Sequence, residues 1–378
     1  MRRVVVSIVV FLLVVGGVAM AIAASDEGRP KHVLKTGARI PTAAQPSSLP
    51  PSPEPHQPKS APRIPRGPLE LAGCPPPERP PGPPGPPPWH PAHLVPESKL
   101  PPMEKPRPWR SSAAPAVGKG MWIWQFDQTE GGDADAVVRK AVDAGLQQLW
   151  IRVGSSRDRF YGGPVLDALV GRAHAAGLAV IGWGFPYLYD PVGDARWTSQ
   201  ALAWRGPEGE RIDGFSADIE KSTEGVALSK RRVAVYLSAV RRAAGDLPII
   251  ATVYRPADVN WFGGYPYRTI ARYVDAFAPM VYWGCSDPRD LAREALDRLA
   301  PLRPVHLIGQ AYNMGPEGGR TKPPSADEIL AFLDLGRRKD ALGASFWSWQ
   351  HINNREWRAV ARYPWPHPSE PVSRPPGV

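Results

Sequence analysis

The sequence predicts an α/β fold, a (β/α)8 or TIM barrel, over residues 119–364. Three observations carry this reading. Eight short apolar runs occur in order, at 120–126, 147–153, 178–184, 214–219, 248–254, 276–283, 305–311 and 343–349. Most are continuous rather than alternating, as parallel strands covered on both faces must be. Helical patterns fill the gaps. Gly145, Gly177, Gly245 and Gly343 stand 32, 68 and 98 residues apart, near multiples of 33, and glycine is expected just past a helix end. A doubly wound open sheet is the rival, but no Gly-rich phosphate turn follows the first strand.

The helices follow from apolar spacing. In 134–144, Val137, Val138, Ala141 and Val142 form one face, and in 226–244 Val226, Leu228, Val233, Tyr236, Leu237 and Val240 do the same. Segments 289–300 and 325–337 are helical too. Ser325 with Glu328 three residues later is a capping-box start.

What precedes the barrel is different material. The chain has 378 residues and 48 prolines, of which 28 fall within 30–115. Proline lacks the N–H that helices and ladders need, so this tract builds no core. Residues 25–118 are expected to be a disordered, extended Pro-rich linker, and 365–378 a Pro-rich tail. Met1-Arg2-Arg3 and an uncharged run, Val4 to Ala24, make residues 1–24 a signal peptide or a membrane anchor. Either places the barrel outside the cytoplasm, secreted or tethered at the cell envelope. Leu71-Ala72-Gly73-Cys74 is like a lipoprotein acylation site, but it stands too far from the apolar segment to serve as one.

Charge and cysteine content exclude other classes. Of the net +10, +7 lies in residues 1–118 (14 Lys/Arg against 7 Asp/Glu) and +3 in the remainder. The folded part therefore offers no nucleic-acid-binding face. The basic linker suits loose contact with anionic cell-envelope polymers, or is a plain solvated spacer. Only Cys74 and Cys285 occur, which excludes a disulfide scaffold and a Cys-rich zinc module. Four of the eight histidines lie in the linker, and no motif calls for a metal or cofactor.

Barrel active sites form at the C-terminal ends of the strands. Those ends carry Trp124 and Asp127, Arg152, Asp218 and Glu220, Tyr254, Tyr282, Gln310 and Tyr312, and Trp347 and Trp349. Aromatic faces stack on the C–H faces of sugars, while Arg, amide and phenol groups bond hydroxyls. The mouth thus suits a carbohydrate, although strand alternation lets only one parity face it and sends the other rings into packing.

The sharpest feature is Asp213-Gly214-Phe215-Ser216-Ala217-Asp218-Ile219-Glu220. Asp218 and Glu220 are two apart, so a strand points both the same way. Two close carboxylates in an apolar barrel push their pKa values apart, leaving one protonated as a general acid. The competing reading is a strand end with solvated acids, or ion pairs to Arg152 or Arg255.

This segment resembles the DGxDxDxE signature of the chitinase-like glycoside hydrolase family 18. Asp213, Gly214, Asp218 and Glu220 match, and Ser216 stands where that signature has its middle Asp. Met280-Val281-Tyr282 is similar to the family's strand-six Met-x-Tyr, and Phe346-Trp347-Ser348 to its strand-eight Trp. The Asp-x-Glu pair also resembles the fourth strand of family 25 lysozymes, without a matching Asp on the last strand. The family 18 resemblance implies hydrolysis of an N-acetylhexosamine polysaccharide such as peptidoglycan, a chitin-like polymer or an exopolysaccharide. It implies Glu220 as the acid and Asp218 as the stabiliser of the substrate's 2-acetamido group. It further implies Tyr282 as that group's hydrogen-bond donor and Trp347 as the floor of the sugar subsite. Ser216 in the middle position alters how Asp218 titrates or marks an inactive relative. The alternatives are an inactive carbohydrate-binding barrel and a wall-spanning protein whose linker is the working part.

Overall fold

The computed structural model describes residues 62–74, 93–104, 108–259, 264–314 and 320–366. The signal or anchor segment, the rest of the linker and residues 367–378 lie outside the described residues. Among those described, no helix is long and apolar enough to cross a membrane.

Eight parallel strands close into a barrel: β1 (Gly118–Ile123), β2 (Gln148–Ser155), β4 (Ala179–Phe185), β5 (Gly214–Asp218), β6 (Ile249–Tyr254), β7 (Ala276–Val281), β8 (His306–Gln310) and β9 (Gly343–Trp347). Each pairs with the next, and β1 pairs with both β2 and β9, which leaves no open edge among them. The two-residue strand β3 (Arg159–Phe160) runs antiparallel to the end of β2 and extends it beyond the barrel rim. Helices α1 (Ala134–Asp143), α2 (Gly163–Ala175), α3 (Pro191–Ala203), α4 (Lys230–Ala244), α5 (Tyr267–Ile270), α6 (Pro288–Leu299), α7 (Ala326–Arg338) and α8 (Asn354–Arg362) follow the strands in turn. All eight expected strands are present within a few residues. Ser325 and Glu328 form the expected capping box of α7. The helix expected from 226 starts at Lys230 instead, because Gly225 takes φ 77° and Ser229 caps the first turn through Arg232 N.

Strand parity divides the core into two layers. Outward residues such as Leu149, Val180, Phe215, Ala217, Leu307 and Phe346 pack against the helices. Inward residues Trp122, Trp150, Ile181, Trp183, Ile250, Ala276, Ala278, Met280 and Ile308 fill the barrel. The tryptophans carry much of this filling. Trp122 stacks on Trp150 at 4.6 Å between centroids and meets Trp183 edge-on at 5.4 Å. Several polar groups at the buried end are paired, while Trp150 Nε1 and Gln148 Oε1 are not. Trp122 Nε1 and the His306 ring both meet Ser345 Oγ, and His306 Nδ1 lies 2.7 Å from Ala116 O.

The expectation of an uninterrupted disordered spacer up to residue 118 gives way at three stretches held against the barrel. Residues 108–117 cross its N-terminal end, where Ala113 and Ala116 join the inner cluster and Trp109 Nε1 donates to Asp275 at 2.7 Å. In 93–104, Leu100 is buried, Val95 N donates to Tyr189 O at 3.0 Å, and Arg231 and Arg232 of α4 donate to carbonyls of Leu100 and Val95. In 62–74, Cys74 forms a disulfide with Cys285, just past β7. The physical reason is local composition: these stretches place apolar side chains and free carbonyls among the prolines, and the barrel offers buried donors to match. The two cysteines build no scaffold, yet they pair. Their even number in a chain read as exported was the signal for it.

Candidate active site

The carboxylate pair sits on the inward parity of β5. Phe215, Ala217 and Ile219 belong to the outer layer, so Ser216, Asp218 and Glu220 point into the barrel mouth. Asp218 is 8% exposed, and Glu220 lies half-buried at the rim. Asp218 Oδ1 and Glu220 Oε2 are buried without a hydrogen-bond partner. Burial pushes the Asp218 carboxyl well up from its ordinary value, and the Arg152 guanidinium pulls it part of the way back. Burial and then the negative charge of Asp218 push Glu220 up further, while a hydrogen bond with the Tyr254 hydroxyl moderates the rise. Neither acid forms an ion pair among the described residues. Arg255, the other candidate counter-ion, is taken by Asp258 and Glu294. The solvated-acid and salt-bridge readings therefore do not describe this pair.

Aromatic groups close around it. Tyr254 of β6 and Tyr282 just past β7 are inward and half-buried. Tyr312 sets its ring edge-on to Tyr282 at 6.2 Å. Tyr265, before α5, donates its hydroxyl to Ile219 O, the carbonyl between the two acids. Trp347 is inward, half-buried, and edge-on to Trp183 at 5.4 Å, so Trp122, Trp150 and Trp183 form the floor beneath it.

On the β1–β2 side the mouth opens into a cleft of about 420 Å³ lined by Trp124, Asp127, Arg152, Asp158 and Tyr161 among others. Trp124 and Tyr161 are exposed at 38% and 43%, which offers two aromatic faces at the rim. Arg152 lies half-buried with its guanidinium 5.5 Å from the Trp183 ring centre. A larger cavity, about 680 Å³, lies at the opposite end near Trp109, Asp275 and Arg303. Its acid is already committed: Asp275 accepts from Trp109, Ser111, Arg241 and Ile249 N.

Two expected substrate contacts are corrected. Trp349 is 4% exposed and lies outside the barrel wall, edge-on to Trp357 at 4.8 Å, with Nε1 donating to Glu130 at 2.9 Å. Strand parity placed it inward, but β9 ends at Trp347 and the following turn sends Trp349 out against α8. Gln310 points inward but is fully buried. Its Oε1 accepts from Gly284 N at 2.8 Å and its Nε2 donates to Tyr312 O at 3.0 Å. It holds the loops that carry Tyr282 and Tyr312 and offers no free amide to a sugar. Asp213 likewise stands at the opposite end of β5, where Oδ2 meets His174 Nε2 and accepts from Val180 N. Tyr161 was not foreseen. It follows β3, a two-residue strand too short to leave a period in the sequence.

Two further acids near the mouth have other work. Asp190 caps α3 through Gly193 N, and Asp287 caps α6 and pairs with Arg289. Asp127 is exposed in the side cleft. Among the described residues no group of three or more His, Cys, Asp or Glu is placed to hold a metal.

No family model matches this sequence, and no curated protein matches it. Among solved structures, a chitinase from Chromobacterium violaceum ATCC 12472 is similar at 11% identity and TM-score 0.49, over 65% of this chain and 98% of that one. A class V chitinase from Pseudomonas fluorescens Pf-5 is similar at 14% identity and TM-score 0.49, over 65% and 99%. An endo-1,4-beta-mannanase from Rhizomucor miehei is similar at 9% identity and TM-score 0.48, over 61% and 86%. Identities and scores at this level assign no activity, so function rests on the geometry of the site itself.

Proposed function

We propose that the protein is a glycoside hydrolase that cleaves an N-acetylhexosamine-containing polysaccharide, with Glu220 as general acid. One observation carries this reading: two carboxylates, Asp218 and Glu220, each with a buried unpartnered oxygen and neither in an ion pair among the described residues, stand on one face at the end of β5 in the mouth of an aromatic-lined barrel. Burying a charge without a partner is expensive unless it is used.

The reaction follows from the inequality of the pair. Glu220, raised by burial and by the charge of Asp218 beside it, stays protonated near neutral pH and gives its proton to the glycosidic oxygen as the C1–O bond breaks. Asp218 shares a face with Glu220 and is poorly placed to attack from the opposite side of the ring. Asp190 and Asp287 are spent on helix caps, Asp158 is bonded to Ser155, and Asp127 lies exposed in the side cleft on the β1–β2 side, away from β5. The nucleophile is then the substrate's own acetamido carbonyl oxygen, which bonds to C1 and forms an oxazolinium ion. The Asp218 carboxylate stabilises its positive charge, and Tyr282 and Trp347 complete the pocket. Water, deprotonated by the Glu220 carboxylate, opens the oxazolinium and leaves C1 with its starting configuration. This substrate-assisted route is a known exception to the two-carboxylate scheme. Export fits the Cys74–Cys285 disulfide, which forms and persists in oxidising compartments. Peptidoglycan or an exopolysaccharide is then the natural polymer, and the basic linker a contact for anionic envelope polymers.

The test uses the chain from residue 25, disulfide intact, on a panel of amino-sugar polymers with product masses and anomeric proton NMR. Glu220→Gln is expected to lower turnover by about 10²–10⁴-fold, the usual contribution of a general acid, while sugar binding persists. Turnover that survives Glu220→Gln rejects Glu220 as the acid, and sugar binding with no turnover by either protein favours the carbohydrate-binding barrel instead. A first product of inverted configuration rejects the acetamido route.

A further inference from the structure

We propose that Arg152 is the positioning residue that keeps Asp218 anionic beside a protonated Glu220. This inference rests on the proposed hydrolase reading and goes beyond it, because it assigns the charge balance of the site to a strand that carries neither acid.

The geometry begins at Ser216. Its hydroxyl meets Thr252 Oγ1 on β6 at 2.9 Å, so β5 supplies no hydrogen-bond partner to the acid two residues on. Asp218 Oδ1 is left buried and unpartnered. The strand register shows where help comes from. Arg152 of β2 pairs with Trp183 of β4, and Trp183 pairs with Ser216 of β5. The three stand at one level on adjacent strands, all on the inward parity. The guanidinium lies over the ring of Trp183, 5.5 Å from its centre, on the strand that stands between β2 and β5, where Asp218 is the next inward residue after Ser216. The Tyr161 hydroxyl shares the side cleft with Arg152, whose charge opposes the rise that burial gives that phenol. Arg152 Nε is itself buried without a partner, as expected of a group held for its charge rather than for a hydrogen bond.

The other titratable groups around the pair supply no second cation for Asp218. Glu220 on its own strand is acidic. Tyr254 of β6, Tyr265 ahead of α5, Tyr282 past β7 and Tyr236 of α4 are buried phenols whose pKa values are raised, so they stay neutral. Lys221 and Glu224 act on Glu220, from the loop past β5, and Lys221 lies over the Tyr254 ring at 4.4 Å. Arg152 is the cation that acts on Asp218.

The two acids titrate jointly, so the consequence reaches both. Arg152 favours the state in which Asp218 is the ionised member, and like-charge repulsion then holds the remaining proton on Glu220. Without it, Asp218 keeps its proton to higher pH, so the window in which one acid is ionised and the other protonated narrows from its acid side.

The experiment compares the parent with Arg152→Gln and Arg152→Lys in two readouts. One is the pH profile of hydrolysis. The other is carbon-13 NMR titration of the Asp carboxyls in unliganded protein, with Asp218 assigned from Asp218→Asn. Removal of a nearby opposite charge is expected to raise the Asp218 titration by about one pH unit, a tenfold change in proton affinity. The acid limb of the profile moves up with it, the basic limb does not move down, and Arg152→Lys restores part of the acid-limb shift. An Asp218 titration that Arg152→Gln leaves in place overturns the proposal, whatever the kinetics. If Arg152→Gln does not fold, Arg152→Met, which keeps the stem and loses the charge, decides by the same titration: an unmoved Asp218 overturns the proposal and a rise supports it. If the NMR shift occurs and the parent hydrolyses nothing, the role of Arg152 stands and the hydrolase reading fails.

Discussion

Replacing Asp218 by Asn should abolish turnover and yet stabilise the fold at neutral and alkaline pH. Burial raises the Asp218 carboxyl from its ordinary 3.8 to about 7, with the opposing pull of Arg152 already included. The sign follows from proton linkage. A carboxyl held tighter by the folded state contributes fully below pH 4, and that contribution is lost as pH rises from about 4 to about 7. Each tenfold change in proton affinity is about 1.4 kcal/mol, so the loss reaches ~4 kcal/mol at pH 8. Asn resembles the protonated acid and removes that loss. Its amide N–H groups find no acceptor at this site, which costs about 1–3 kcal/mol. The expected net gain at pH 8 is about 1–3 kcal/mol, at roughly 2–4 °C of melting temperature per kcal/mol for a domain of this size. At pH 4 the parent is already protonated there, and the variant is equal or less stable. Thermal and urea melts of parent and variant at pH 4, 6 and 8 test this, with the circular dichroism of the folded baselines as control. The signature is a difference that changes sign with pH. A variant less stable than the parent at all three would refute the claim that burial of the Asp218 carboxylate costs the fold stability.

Two further outcomes follow from named contacts. Tyr254→Phe removes the hydrogen bond that moderates Glu220, so the acid stays protonated to higher pH and the basic limb of the activity profile moves up; a downward move would contradict the assigned hydrogen bond. Reducing the Cys74–Cys285 bridge should lower the melting temperature, since closing 211 residues of chain contributes up to ~5 kcal/mol by loop entropy; melts that coincide with and without reductant would show that the 71–74 strap is held by its other contacts alone.

The barrel was legible because each strand is a continuous apolar run and each helix end carries a glycine or a cap, signals that act within a few residues. The acid pair was legible for the same reason: two residues on one strand share a face wherever the strand ends up. Trp349 and Gln310 were not, because their fates depend on where β9 stops and on which backbone groups the loops leave unpaired. The pre-barrel stretches escaped notice for a related reason. Leu100, Trp109 and Cys74 are isolated apolar or reactive residues among prolines, and their partners Arg231, Asp275 and Cys285 lie more than a hundred residues away. The same contacts attach the chain at both ends of the barrel and along α4. Reading the domain boundary from composition alone therefore discards the strap that packs beside the mouth. Arg320 donates from one guanidinium to Ala72 O, Gly284 O and the Glu328 carboxylate, so the strap, the loop after β7 and the start of α7 meet at a single buried ion pair.

Ser216 illustrates why a departure from a motif need not mean loss of chemistry. A third carboxylate at that level would add a negative charge to a barrel that already leaves two acids without hydrogen bonds at Asp218 Oδ1 and Glu220 Oε2. It would then be protonated itself or be matched by a cation. This chain has the cation and not the third acid. Arg152 stands at the level of Ser216 two strands over, and the serine hydroxyl turns to Thr252. A site with an ionised Asp218, a neutral Glu220 and Arg152 carries no net charge across these three groups, which is the least costly ionised state such an apolar barrel can hold. Introducing Asp at 216 should then act oppositely to the usual expectation of a restored motif: the added acid competes with Asp218 for Arg152. The proton it takes up leaves the barrel more pH-sensitive rather than more active.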